Sequence, residues 1–310
     1  MTDLAAAAQF VAAHGRLLER RRFAHLFGDG GGDGAGTTDA GPVLAALRAY
    51  RNADGGIGLL EPDLRTPTSQ PSAVLYALEL LQEVDAPGDP LATDALDWLQ
   101  TVTNDDGGVP FVLASARGWP HAPWWTPQDD PPSSLLMTAG IAAAVHGLGL
   151  DHPWLAGASE YVWDALPALT PSDPYAFRYA VRFLDAVPDR ARADAALDAL
   201  AAGVPADGVL RVSAGAEGET LGALEVAPRP DHAGRRLFPP ELIERELDAL
   251  AAAQQDDGGW TFSWAAWSPA VAWEWRGVVT VDALKTLRAD GRLRSSSRRP
   301  RRPASRAPRR

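Results

Sequence analysis

The chain is predicted to be nearly all α-helical, built from repeats of about 50 residues that each supply a helix, a tight turn and a second helix. A recurring turn is the first observation. It reads Asn52-Ala53-Asp54-Gly55-Gly56, then Asn104-Asp105-Asp106-Gly107-Gly108, then Gln255-Asp256-Asp257-Gly258-Gly259, with a weaker copy at Ala206-Asp207-Gly208. The four aspartates lie 52, 101 and 50 residues apart, a period with one copy missing, and such a period marks a repeat architecture. Helical spacing of apolar residues before and after these turns is the second observation. The third is the abundance of alanine and the near absence of alternating runs, the best being the short stretch 209–212.

The elements follow in order. A helical segment near 3–27 precedes the first turn and reads as half of an additional pair. A glycine-rich stretch, 28–36, is expected to be a flexible loop; it has no Lys-Ser/Thr and follows no strand, so it is not a phosphate-binding loop. Pro67-Thr68-Ser69-Gln70-Pro71-Ser72 opens a helix near 72–85, with Val74, Ala77, Leu78 and Leu81 as its apolar stripe. Leu96, Leu99 and Val102 form the stripe before the second turn. Pro131-Pro132-Ser133-Ser134 opens a helix near 134–148. The third pair runs over 154–169, turns near 171–174 and continues over 176–187. The fourth pair turns at Asp207. In the fifth, Ile243, Leu247 and Leu250 precede the last turn, and the chain returns as a helix near 279–287. The glycines suit a helix C-terminus, where a left-handed residue is needed.

Composition bounds the chemistry. No stretch approaches the length of a membrane span. There are no cysteines, which excludes disulfides, thiolate nucleophiles and cysteine-ligated zinc. Met1 to Phe10 does not read as a secretory signal, so a cytoplasmic location is the expectation. Residues 291–310 carry nine arginines and no acid, leaving about −20 on the preceding 290. So acidic a body is not expected to bind nucleic acid or anionic membranes. The domain expectation is a single repeat domain over 1–290 and a disordered arginine-rich tail over 291–310.

Gln254 and the Gly258-Ala/Gly-Trp260 arrangement after Leu247 and Leu250, here Gly258-Gly259-Trp260, resemble the QW repeat of the prenyltransferase and squalene-cyclase (terpenoid cyclase) superfamily. The other two Asp-Gly-Gly turns look like degenerate copies. The resemblance spans about 40–290 and implies an α/α toroid of five to six helix pairs around a central cavity, with Gln254 and Trp260 tying helix ends together. It does not extend to the superfamily's catalytic motifs. No Asp-x-Asp occurs anywhere, and Asp105-Asp106, Asp129-Asp130 and Asp256-Asp257 lack the third acid of a magnesium site.

Tryptophan placement supplies the candidate site. Trp119, Trp124 and Trp125 follow the second turn. Trp264, Trp267, Trp273 and Trp275 follow the last. If the repeats stack, both groups open on one end, where aromatic faces can hold an isoprenoid or steady a carbocation. His121, Asp129 and Asp130 lie in the first group, and Glu274 lies between two tryptophans in the second. A carboxyl desolvated among aromatics can act as a general acid, so Asp129, Asp130 and Glu274 are the candidate catalytic residues and the tryptophans with His121 the candidate substrate-binding ones. Asp129 and Asp130 would equally suit the start of the following helix, and Glu274 could pair with an arginine. Asp63-Leu64-Arg65 and Asp231-His232 are left between pairing and capping. Six scattered histidines have no metal-site spacing, and no cofactor is expected. The leading function is acid-initiated carbocation chemistry on an isoprenoid. The alternatives are a non-catalytic toroid that binds a lipid, isoprenoid or glycan or assists a biosynthetic enzyme, and a carbohydrate-active α/α barrel.

Overall fold

The computed structural model describes residues 2–28, 36–212 and 219–293. The arginine-rich tail from 294 onward and most of the glycine-rich stretch lie outside the described residues. Twelve α-helices run through the described part: α1 (Leu4–His14), α2 (Leu17–Phe27), α3 (Gly41–Arg48), α4 (Pro71–Glu83), α5 (Pro90–Gln100), α6 (Leu135–Leu148), α7 (Trp154–Ala165), α8 (Pro174–Ala186), α9 (Arg190–Ala201), α10 (Ala223–Val226), α11 (Pro240–Ala252) and α12 (Pro269–Ala289). One two-stranded ribbon pairs β1 (Leu210–Arg211) with β2 (Thr220–Leu221), antiparallel, at the alternating stretch.

Two helix boundaries differ from the sequence expectation, each for a local reason. The segment near 3–27 is two helices, because Gly15 leaves the helix in extended backbone (φ −67°, ψ 148°) and Arg16 stays extended (ψ 165°). The last helix begins ten residues earlier than its apolar stripe indicates. Ser268 caps it by accepting from the Val271 N–H, and Pro269 occupies the first turn, which tolerates proline. Trp273, Glu274 and Trp275 are therefore helical residues, not loop residues.

The even-numbered helices pack in succession: α4 on α6, α6 on α8, α8 on α10, and α12 on α2. α6 is buried nearly all round, and its small residues permit the contact. A Cβ on Gly140 would lie 2.8 Å from the Tyr179 ring and 3.0 Å from Leu75, so glycine sets the spacing of three helices there. The odd-numbered helices flank them, α5 on α4, α7 on α6, α9 on α8 and α11 on α10, and α1 packs on α12.

The repeated turn is one hydrogen-bonded unit used three times. Asn52, Asn104 and Gln255 each donate their backbone N–H to the second glycine of their turn and accept from the first. Each aspartate accepts from the second glycine's N–H. The first glycines have φ of +91°, +85° and +89°, which L side chains rarely adopt. In the first two copies the amide also donates to a serine, Asn52 to Ser69 and Asn104 to Ser133, and that serine donates back to the aspartate. The last copy exchanges the serine for Arg276, which grips Asp257 through two 2.7 Å bonds. Each turn leans on the next odd-numbered helix, at Asp94 of α5, Gly157 of α7 and, for the last, Ala6 of α1. Gln254 fastens that final contact, accepting from the Asp3 N–H at 2.7 Å and donating to its carbonyl at 2.8 Å. Trp260 is 2% exposed and donates its indole N–H to Leu250.

Candidate active site

The loop after the first turn carries the acids. Leu59 N–H bonds to the Thr66 carbonyl at 3.0 Å, closing a loop whose tip is Glu61-Pro62-Asp63. That loop is zipped to the one after the second turn. Arg65 N–H donates to Pro120 at 2.9 Å, Ala122 N–H donates to the Asp63 carbonyl at 2.8 Å, and Leu64 and His121 form a β-bridge. Gln70 adds a cross-tie, accepting from the Leu113 N–H and donating to Ser115.

Asp63 is 5% exposed. Burial pushes its carboxyl up to about 6, while the indole N–H groups of Trp275 and Trp267, aimed at it, and the Arg65 cation hold the rise in check. Neither indole closes a full hydrogen bond: Asp63 Oδ1 and both Nε1 atoms are buried and unpaired. The approach is therefore loose, and room remains for the acid to turn toward a ligand. Beside it, Glu61 is pushed up to about 8, first by burial and then by the Asp63 charge. Glu61 Oε1 accepts from the Asp63 N–H at 3.3 Å. At neutral pH Glu61 is mostly protonated and Asp63 retains its proton in part.

The sequence-predicted residues divide. Asp129 pairs with Arg117 on the surface and is 87% exposed, and Asp130 is exposed too, so the desolvation that an elevated acid requires is missing at both. Glu274 is enclosed, but two guanidiniums face it. Arg65 forms an ion pair with it and Arg16 approaches to 3.8 Å. Arg276, its sequence neighbour, is committed to Asp257 instead. Arg16 also chelates Glu19 and donates to the Leu60 carbonyl, so Glu274 belongs to a positioning network that spans α2, the acid loop and α12.

The tryptophans do not form one lining. Trp267 and Trp275 face Asp63. Trp264 meets the Trp275 ring edge-on at 5.2 Å and stacks on Phe262. Trp125 is buried in the core, stacked on Phe111 at 4.2 Å, with Trp124 half-buried against the same core. Trp119 is exposed. Trp273 is also exposed and stacks on His14. His121 turns its ring Nδ1 to the Ala122 carbonyl at 2.9 Å. Sequence reasoning missed Glu61 and gave Asp63 no catalytic part. The available signal was the acid-x-acid spacing of Glu61-Pro62-Asp63 in the loop after a turn, the same loop class that carries the tryptophans.

Below the acids the interior is polar. On α4, whose other residues from 71 to 81 are buried, Tyr76 and Glu79 keep accessible surface; on α8 Tyr175, Arg178, Tyr179 and Arg182 do. Burial is nonetheless the largest influence on the titration of Tyr76, Arg178, Tyr179 and Arg182, so these groups line an interior space rather than the outer surface. Arg182 pairs with Glu79 at 2.8 Å, and Tyr175 donates to Glu219. At the far ends of the same helices Glu83 accepts from Arg22 at 2.8 Å and pairs with Lys285, and Arg22 reaches Asp282 at 2.8 Å. Burial works against the Glu83 charge, but Arg22 and Lys285 hold its carboxyl well below the usual range.

No protein-family model matches the chain, and no curated protein does. Solved structures do. A protein from Actinoplanes superposes with a TM-score of 0.59 at 17% identity, over 93% of this chain and 98% of that one. The type II terpene cyclase MstE from Scytonema, in its apo form, superposes with a TM-score of 0.55 at 14% identity, over 94% of this chain and 98% of that one. The likeness is one of fold: the chain is an all-α protein with a terpene-cyclase-like fold. No helix among the described residues is long and apolar enough to cross a membrane.

Proposed function

We propose that the chain is an α/α toroid of six helix pairs, related to the QW-repeat superfamily, that acts on an isoprenoid in its central cavity by acid-initiated carbocation chemistry. Asp63 is the proton donor in this reading. The observation that carries it is a buried carboxyl, lifted to about 6, set between two indole N–H groups. A donor must hold its proton at working pH and then tolerate its loss. Burial supplies the first condition. The second is met when Trp267 and Trp275 close their hydrogen bonds on the carboxylate that forms, while ring faces nearby steady the cation. Glu61, protonated up to about 8, stands next to Asp63 to restore the proton. The fold likeness to MstE supports the reading at the level of architecture. Glu274 is assigned to hold Arg16 and Arg65 in position, and Asp129 and Asp130 take no part.

Incubating the full chain in D2O with geranylgeranyl compounds tests this. Cyclised product should carry one deuterium on carbon, delivered by the acid. Unchanged substrate from every prenyl compound, with no rise in melting temperature, would sink the proposal.

The polar interior favours one other reading, a sugar-binding toroid in which Glu61 and Asp63 serve as paired carboxyls. Release of reducing sugar from oligosaccharides, with no prenyl binding, would favour it.

A further inference from the structure

Nearly every interior charge has a partner. Arg16 has Glu19, Arg22 has Glu83 and Asp282, Lys285 has Glu83, Arg65 has Glu274 and Arg182 has Glu79. Arg178 is the exception. Among the described residues its guanidinium accepts no ion pair and donates no hydrogen bond, and its Nε is buried without an acceptor. Its nearest support is the Tyr179 ring, 5.3 Å from its guanidinium carbon. Arg182, one turn on, lies 5.2 Å from the same ring, and its Nε is also buried and unpaired. Two guanidiniums thus share one aromatic ring and one carboxylate, Glu79. The face carries a surplus positive charge in a desolvated place, where an unpaired cation is costly. Burial and the Arg178 cation both work against the Arg182 charge, which an incoming anion would relieve. Guanidinium forks suit planar or tetrahedral oxyanions, and both forks have unused donors here.

We propose that Arg178 and Arg182 form an anion subsite in the interior space that receives the acidic head of the substrate, a carboxylate or a phosphate. This rests on the isoprenoid reading above for the rest of the molecule, and it narrows the substrate class to prenyl compounds with a charged end. The neutral chain then extends toward the tryptophans and Asp63, so the charged end and the protonated end are held by different elements, α8 and the acid loop.

The test is calorimetric binding to the full chain of geranylgeraniol, geranylgeranoic acid, geranylgeranyl diphosphate, benzoate and inorganic diphosphate, each with wild type, Arg178→Gln and Arg20→Gln. Arg20 is an exposed arginine on α2 and serves as the control. In wild type an acidic prenyl compound is expected to bind at least tenfold more tightly than the alcohol. Arg178→Gln should erase that preference, leave the alcohol's affinity unchanged, and raise the melting temperature of the free protein, because it removes an uncompensated charge. Preference for the carboxylate or for the diphosphate identifies which head is used. Equal binding of acid and alcohol in wild type would overturn the subsite and leave the isoprenoid reading standing. Arg178-dependent binding of benzoate or diphosphate with no prenyl binding would keep the subsite and remove the isoprenoid reading. Loss of binding and a lower melting temperature together in Arg178→Gln would mark Arg178 as structural and overturn the proposal; Arg178→Lys, which keeps the charge, should then fail to restore stability. Binding of none of the five compounds overturns both readings.

Discussion

Asp63 and Glu274 come from opposite ends of the chain and meet around Arg65 and Trp275, yet their surroundings give them different work. Glu274 faces two guanidiniums. Asp63 faces two indole N–H groups and is lifted to about 6 by burial. Being flanked by tryptophans in sequence did not make Glu274 a neutral acid, and having an arginine two residues away did not make Asp63 an ion pair. What separates them is the direction of Arg65, which crosses to α12 instead of folding back on its own loop.

The largest break in this comparison is Asp63→Asn. It should lower turnover of any prenyl substrate by about 100-fold or more, measured as initial rate, because a positioned general acid contributes on that order. Glu274→Gln should leave a larger share of the rate.

Stability should move in the opposite sense. Asp63 binds its proton more tightly folded than unfolded, so its favourable contribution is full below about pH 4 and is lost as pH rises through 6. Asp63→Asn should therefore match wild type near pH 4 and exceed it by on the order of 2–3 kcal/mol at pH 8, read by denaturant titration at both values. Glu61 extends the same trend up to about pH 8. Glu274→Gln strips Arg16 and Arg65 of a partner and should cost about 1–3 kcal/mol at pH 7 in the same titration. A stabilised Glu274→Gln would mean that the two acids have been assigned the wrong way round.

The finest test is Trp275→Phe, which keeps a ring and removes one N–H from Asp63. The Asp63 carboxyl should rise further, and the alkaline limb of the rate profile should move up by about one pH unit. An unmoved limb would remove the indole from the account.

Much of the frame was legible in the sequence. The Asp-Gly-Gly turns are written in residue types that only a few backbone conformations use, so Gly55, Gly107 and Gly258 announce themselves, and Gln254 and Trp260 make tying contacts of the kind the resemblance implied. The helix over 269–278 was hidden because tryptophans obscure the apolar stripe, and Ser268-Pro269 was a weaker signal than the loop-like composition around it. The acids were harder. Spacing can show that Glu61 and Asp63 are close, but desolvation depends on a loop arriving from the second repeat and a helix arriving from the last. Arg178 was invisible for a related reason. Tyr175, Arg178, Tyr179 and Arg182 fall on one face of α8, and such a face reads as solvated when the other face is apolar. Here the polar face turns inward, and the ordinary inside-outside rule is inverted.

The tie between Asp3 and Gln254 spans 251 residues of sequence. A nascent chain emerging from the ribosome can build its middle helices against one another as they appear, but α1 has no seat until α11 and the last turn exist. The first helix made is thus among the last to dock. Until then the apolar faces of α1 and α12 are left waiting, and the slow step of folding is expected to be the meeting of the two ends, a contact of the highest separation the chain can offer.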